Sequence, residues 1–317
     1  MKKTTKPMTQ SRRDFCRILG GGALALSMPI PVFAKDDRYF NFAVIADTHI
    51  IDTFYTGSEG SDLDSVSIHK SKNRLIEARS VINNPTLAIE QVFIAGDFIH
   101  NYPSDQWDFY FENETRIDIA KGLIDGFDMP VHVGLGNHDY DVPDIPLQFT
   151  HDLFKQKVGI DPYYAVEHRG WKFVHLSNFL GATMDPTSDD YNTSLGSFGE
   201  TQLNWLEGQL QESKPTVIFT HFPLPIIKGK EVADYGLYKL LRDHRDTIRM
   251  FIAGHLHMWL QFADFFGPLH YCMGSTRYDK NAYFLVRVDT KLDTFSVLNW
   301  DNLIWGTYNS TAYEIKK

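Results

Sequence analysis

The sequence predicts an α/β fold, a two-sheet β-sandwich flanked by helices, and three observations predict it. Five short apolar runs bounded by turn residues read as buried strands, helical stretches fall between them, and two further segments read as hairpins. The runs are Phe42-Ala43-Val44-Ile45-Ala46, Val92-Phe93-Ile94-Ala95, Val131-His132-Val133-Gly134-Leu135, Thr216-Val217-Ile218-Phe219 and Met250-Phe251-Ile252-Ala253. The helical stretches are Ser67 to Val81, Asp105 to Gly126, Pro146 to Lys157, Thr201 to Ser213 and Tyr235 to Arg245. In the fourth of these, Trp205, Leu206 and Leu210 follow the start signal Gly199-Glu200-Thr201 at helical spacing. One hairpin joins Tyr163–Glu167 to Trp171–Leu176 through His168-Arg169-Gly170. The other joins Ala282–Val288 to Thr294–Trp300 and is expected to complete a second sheet. Ile51 to Ser65 and Gly181 to Ser197, rich in Gly, Asp, Ser and Thr, read as loops.

Each of the five strands runs directly into a polar motif. In order these are Asp47-Thr48-His49, Gly96-Asp97, Gly136-Asn137-His138-Asp139, Thr220-His221 and Gly254-His255-Leu256-His257. Polar groups at the ends of buried strands collect along one sheet edge, where open α/β sheets bind ligands. Carboxylate, amide and imidazole donors without a thiolate suit Mn, Fe or Zn, and two such ions can share one carboxylate, for which Asp97 is the natural bridge. Two metals held this way activate water at neutral pH and clamp phosphate oxygens.

In this order the motifs DxH, GD, GNH[DE], H and GHxH resemble the calcineurin-like metallophosphoesterase superfamily, over roughly Phe40 to Ser275. The resemblance implies the αββα metallophosphoesterase fold. It also implies that Asp47, His49, Asp97 and His257 bind one metal and that Asp97, Asn137, His221 and His255 bind the other. His138 corresponds to the family's catalytic histidine, which protonates the leaving oxygen or stabilises the transferring phosphoryl group while metal-bridging hydroxide attacks phosphorus. Asp139 is expected to support the loop around His138 rather than bind metal. Many members carry Asp or Asn three residues after the bridging Asp, where this chain has His100, a feature similar to the double-strand-break repair nuclease branch. A neutral imidazole at position 100 is expected to hydrogen-bond His138. The resemblance points first to small phosphodiesters of cyclic-nucleotide or glycerophosphodiester type, second to phosphomonoesters and third to nucleic acid. A non-catalytic exported binding protein and a hydrolase of carboxylic esters are the readings from other classes.

The amino terminus carries a second signal. A basic stretch with Lys2, Lys3 and Lys6 leads into Ser11-Arg12-Arg13-Asp14-Phe15-Cys16, then the apolar run Ile18 to Leu26, and Val32-Phe33-Ala34 offers a small-residue cleavage site. Residues 1–34 therefore read as a twin-arginine export signal and 35–317 as the phosphoesterase domain. The apolar run is interrupted by Pro29 and Pro31 and is too short to span a bilayer, so no stable membrane span is expected after processing. The twin-arginine translocation machinery carries folded cargo, so metals would load in the cytoplasm before delivery to the periplasm.

The full chain carries a formal charge of −9, and loss of residues 1–34 removes six basic residues and one acidic one. An acidic chain is a poor binder of the nucleic acid backbone, which is neutralised by Lys and Arg. Cys272 is the one cysteine beyond the signal, so no intramolecular disulfide can form, and its apolar surroundings predict a buried, inert thiol. Tyr140 and Phe222 belong to a set of aromatic residues flanking the site motifs that would be suited to stacking on a base.

Overall fold

The computed structural model describes residues 37–57, 60–227, 236–262, 269–309 and 312–315. The expected export signal lies outside the described residues. Among these residues the strands form two sheets. In the first, β1 (Tyr39–Ile45), β2 (Ile89–Ala95) and β3 (Val131–Gly134) run parallel, and β10 (Tyr283–Asp289) and β11 (Thr294–Val297) extend it antiparallel, in the order β11-β10-β1-β2-β3. The second contains β4 (Tyr164–His168), β5 (Trp171–His175), β6 (Thr216–Phe219), β7 (Ile248–Ala253), β8 (Trp259–Phe262), β9 (Leu269–Cys272), β12 (Trp305–Asn309) and β13 (Ala312–Ile315), ordered β13-β12-β8-β9-β7-β6-β5-β4. Within it β5, β6 and β7 are parallel.

The sheets face each other because alternate residues of each central strand are apolar on both sides. Phe40, Phe42 and Val44 of β1 pack with Phe93 of β2 against Phe173, Val217, Phe219, Met250 and Ile252 of the other sheet. The ring of Phe93 stacks 4.6 Å from Phe173 and 4.7 Å from Phe219, so one side chain bridges the two layers. Ala43 and Ile45 point the other way, into a layer with Leu75, Ala78 and Ile82 of the long helix α1 (Asp62–Ile82). The expected two-sheet sandwich with helices outside is the observed architecture.

Four expectations are corrected. Helix α1 begins at Asp62, five residues before the expected start. Ser61 caps it by accepting from Asp64 N at 3.1 Å, and the acidic first turn suits the helix dipole, so the end of the expected Ile51–Ser65 loop is helical. The stretch Asp105 to Gly126 is two helices, α2 (Phe109–Glu112) and α3 (Arg116–Ile124), because Thr115 and Asp118 form a capping box that starts a new helix. The carboxyl-terminal hairpin joins the first sheet through β10 and β1, and the second sheet is completed by β8, β9, β12 and β13 instead. The expected loop around His138 contains one helical turn, α4 (Asn137–Tyr140). Elsewhere α5 (Leu147–Lys157), α6 (Glu200–Leu210) and α7 (Gly236–Asp243) lie within the expected stretches to within a residue or a few at each end. Among the described residues no helix is long and apolar enough to cross a membrane.

Candidate metal centre

The carboxyl ends of β1, β2, β3, β6 and β7 lie along one edge of the sandwich, and each of the five motifs leaves one of them. Pairing continues past the strands. Ile50 bridges Ile99, and Asp47 N and His49 N donate to the carbonyls of Gly96 (3.0 Å) and Asp97 (2.9 Å), which fastens the first motif to the second. The backbone there is forced: Asp47, His49, Asp97, His255 and His257 all have φ between 46° and 71°. Non-glycine residues avoid this left-handed region, at about 1–3 kcal/mol each, and such strain concentrates at functional sites.

Two donor clusters result. In one, His49 Nε2 lies 3.1 Å from His257 Nε2 and 3.4 Å from Asp97 Oδ2, while His257 Nε2 lies 3.4 Å from Asp47 Oδ1. In the other, His221 Nε2 lies 3.1 Å from Asp97 Oδ2, and Asn137 Oδ1 is 3.0 Å from both His221 Nε2 and His255 Nδ1. All seven sequence-derived ligand positions are brought together, and Asp97 belongs to both clusters.

The arrangement fits a pair of metal ions. Asp47 Oδ2 is buried with no hydrogen-bond partner among the described residues, an arrangement that burial penalises unless a cation meets it. His49 and His257 turn their Nε2 atoms toward each other and toward the carboxylates of Asp97 and Asp47, as two ligands of one cation would. His221 Nδ1 faces the Ala95 carbonyl at 3.1 Å, so donation there leaves Nε2 free to ligate. Burial, aided by His138, His257 and His100 against the pull of Asp97, keeps His49 well below its ordinary range. Burial and His221 bring His255 down to about 4, so both are neutral at pH 7, the ligating form. Burial opposes charge on His221, but Asp97 and the Ala95 carbonyl draw it up to about 9, so at pH 7 its Nε2 would release a proton on taking up a cation. Against burial, the imidazoles of His221, His138 and His49 hold Asp97 well below the usual carboxylate range.

The residues that hold this array differ in part from expectation. His100 does not hydrogen-bond His138. Its Nδ1 meets His49 Nδ1 at 3.0 Å, and its ring stacks on that of His138 with centroids 4.4 Å apart. Asn101 is the partner of His138: its Oδ1 accepts from His138 Nδ1, and its N donates to the His138 carbonyl at 3.1 Å. A proton on Nδ1 leaves Nε2 as the nitrogen available to a substrate. Position 101 reaches His138 because Ile99 still pairs with Ile50 and Asn101 then turns through φ 54°, a conformation Asn tolerates better than most residues. The neighbouring Asn was the available signal.

Asp139 accepts three backbone hydrogen bonds, from Gly136 N (2.7 Å), Ile99 N (2.8 Å) and Phe98 N (3.0 Å), joining the second and third motif loops. Burial and the nearby Asp97 charge push it up to about 7 despite these donors. Asn178, which sequence reasoning missed, accepts from His221 N (2.9 Å) and Phe222 N (2.8 Å), and Ser275 Oγ donates to the Asp47 carbonyl at 2.9 Å. Cys272 is buried, its thiol lies 3.0 Å from the Gly254 carbonyl, and burial pushes it up, as an inert thiol requires. Tyr140 and Phe222 are at most 1% exposed and pack largely into the core, with only an edge of each bordering the cleft beside Asn137 and His138.

Fold and donor array together define a site suited to two metal ions at the edge of an αββα sandwich. The family description Calcineurin-like phosphoesterase matches residues 40–259, and the chain belongs to that family. It is a metal-dependent phosphoester hydrolase. A search of curated proteins by sequence gives no match. Among solved structures, a dimetal phosphatase from Danio rerio is 18% identical with a TM-score of 0.53, over 78% of this chain and 92% of that one. A purple acid phosphatase from yellow lupin is 11% identical (TM-score 0.46), over 82% of this chain and 53% of that one. An archaeal phosphodiesterase is 12% identical (TM-score 0.36), over 81% and 98%. At these identities the likeness is one of fold.

The glycine of the third motif makes the array testable. A Cβ on Gly136 would stand 2.2 Å from Asp97 Oδ1, displacing the carboxylate shared by both clusters. Gly136→Ala is therefore expected to lower bound Mn to less than half the wild-type content, measured by elemental analysis after gel filtration, and unchanged stoichiometry would contradict the shared role of Asp97.

Proposed function

We propose that the protein hydrolyses small phosphodiesters, of cyclic-nucleotide or glycerophosphodiester type, outside the cytoplasm. The observation that supports this most is the pair of donor clusters meeting at Asp97 beside His138. Asp47, His49, Asp97 and His257 would hold one cation and Asp97, Asn137, His221 and His255 the other. When bound, the two ions supply a nucleophile from water at neutral pH and neutralise the phosphoryl oxygens. The nitrogen and oxygen donors suit Mn, Fe or Zn.

The chain's own groups do the rest. Asn101 fixes the His138 tautomer, and the protonated ring hands its Nε2 proton to the departing alcohol oxygen. His100 accepts from His49 Nδ1 and so keeps Nε2 of His49 turned into the cluster. Asp139 holds the loops of Asp97 and His138 in register. A cleft of about 310 Å³ opens beside these groups, lined by Asn101, Asn137, His138, Phe179, Met184 and Phe222 among others. Its amide and apolar walls suit the organic substituent of a diester.

For delivery we infer that residues 1–34 engage the twin-arginine translocation machinery, with cleavage after Ala34 and the 35–317 domain released to the periplasm. The adjacent Arg12 and Arg13, followed by the apolar run Ile18 to Leu26, support this.

The chain from Lys35 onward, loaded in turn with Mn, Fe and Zn, is expected to hydrolyse bis(p-nitrophenyl) phosphate in preference to p-nitrophenyl phosphate. His138→Ala should keep its metal and lose about 10²–10⁴-fold in turnover. Preference for the monoester would transfer the reading to the phosphatases, and full activity in His138→Ala would remove the acid role. For export, replacing Arg12 and Arg13 with lysine should strand the protein in the cytoplasm on cell fractionation. Undiminished export would point to another route.

A further inference from the structure

Behind the donor clusters lies a buried ion pair that touches neither of them. Arg116 opens α3 and is 2% exposed. Its Nε and Nη2 donate to Asp52 Oδ2 and Oδ1 at 3.0 and 2.9 Å, and its backbone N donates to Asp52 Oδ2 at 2.8 Å. Asp52 sits three residues beyond His49, so this end of the pair is fixed to the first motif loop. The remaining guanidinium nitrogen, Nη1, donates to the carbonyl of His100 and lies 3.3 Å from that of Asn101.

We propose that Arg116, seated on Asp52, is a positioning residue for His138, acting through the backbone of His100 and Asn101. Three features carry this. Asn101 holds a left-handed φ of 54° while its side chain must meet His138 Nδ1, and such a conformation persists only where the surroundings over-determine it. The planar fork of arginine can grip a carboxylate with one edge and a carbonyl with the other, which the single ammonium of lysine cannot. A buried ion pair is also a weak device for stability, since apolar residues of similar volume do as well, whereas it fixes geometry across three chain segments at once. Here those segments are the loop after β1, the loop after β2 and the start of α3.

The inference rests on the phosphoester hydrolase reading, and its consequence is specific to proton transfer. A misplaced Asn101 lets His138 turn, which slows esters whose leaving oxygen needs a proton and spares those whose leaving group departs as an anion. The test uses the full chain loaded with Mn and a series of aryl phosphodiesters with leaving groups of rising basicity. Arg116→Lys is expected to lower kcat by about tenfold or more on the most basic leaving group and by less on the p-nitrophenyl ester. KM and Mn content should be unchanged. In an Asn101→Ala background the same substitution should have little further effect, because the two residues act as one unit. Asp52→Asn, which leaves the arginine in place, should give a smaller loss with the same leaving-group dependence, and it carries the test if Arg116→Lys does not fold. An equal loss on every ester, or the full loss persisting without Asn101, would overturn the assignment and leave Arg116 a structural residue. A wild-type chain inert toward every ester would instead remove the hydrolase reading and the inference with it.

Discussion

Asp97 Oδ2 lies 3.4 Å from His49 Nε2 and 3.1 Å from His221 Nε2, while the other oxygen of the same carboxylate accepts from His138 N at 2.9 Å. One side chain thus faces both donor clusters and the backbone of His138. Its place depends on two glycines. Gly96, at φ 87°, lets the chain turn under the His221 ring, and Gly136 leaves room for the carboxylate itself. The two sheets must also meet face to face, because His49 follows a strand of the first and His221 a strand of the second. The Phe42, Phe93, Phe173 and Phe219 contacts between layers therefore set the separation of the clusters as well as the stability of the fold.

Holding imidazoles and carboxylates this close without a cation is unfavourable, and the surrounding structure offsets it. Five ligand positions sit in left-handed backbone. Asp139 ties three amides, Asn178 ties two, Ser275 holds the Asp47 carbonyl, and the Asp52–Arg116 pair joins the loops after β1 and β2. These groups make the site a preorganised one, its strain carried by the folded chain.

The convergence of the seven candidate ligand positions was legible in the sequence because each chemical signal coincides with a structural one, a polar motif directly after an apolar strand. The sandwich was legible for the same reason, since continuous apolar runs mark strands covered on both faces. What failed was local. His100 was expected to hydrogen-bond His138, but the continued pairing of Ile50 with Ile99 directs its Nδ1 to His49 while its ring only stacks on His138, and a left-handed turn brings Asn101 to the His138 Nδ1. No periodicity reports such a turn. The break between α2 and α3 was written in Thr115 and Asp118, yet a run of helix-compatible residues on both sides concealed it. Strand β12 pairs parallel with β8, which lies about forty residues earlier in the chain, and sheet membership of that kind is decided by long-range packing rather than by neighbouring residues. Asp52 and Arg116 lie 64 residues apart and carry no motif, so their pairing appears only in three dimensions.

On this geometry Asp97 would join two metal ions in one site. Electron paramagnetic resonance of the full chain titrated with Mn(II) tests it most directly. The expected result is two Mn per chain and, at saturation, a spectrum of an exchange-coupled pair that gives way to an isolated-ion signal in Asp97→Asn. A single Mn per chain, or two with no coupling, would contradict it.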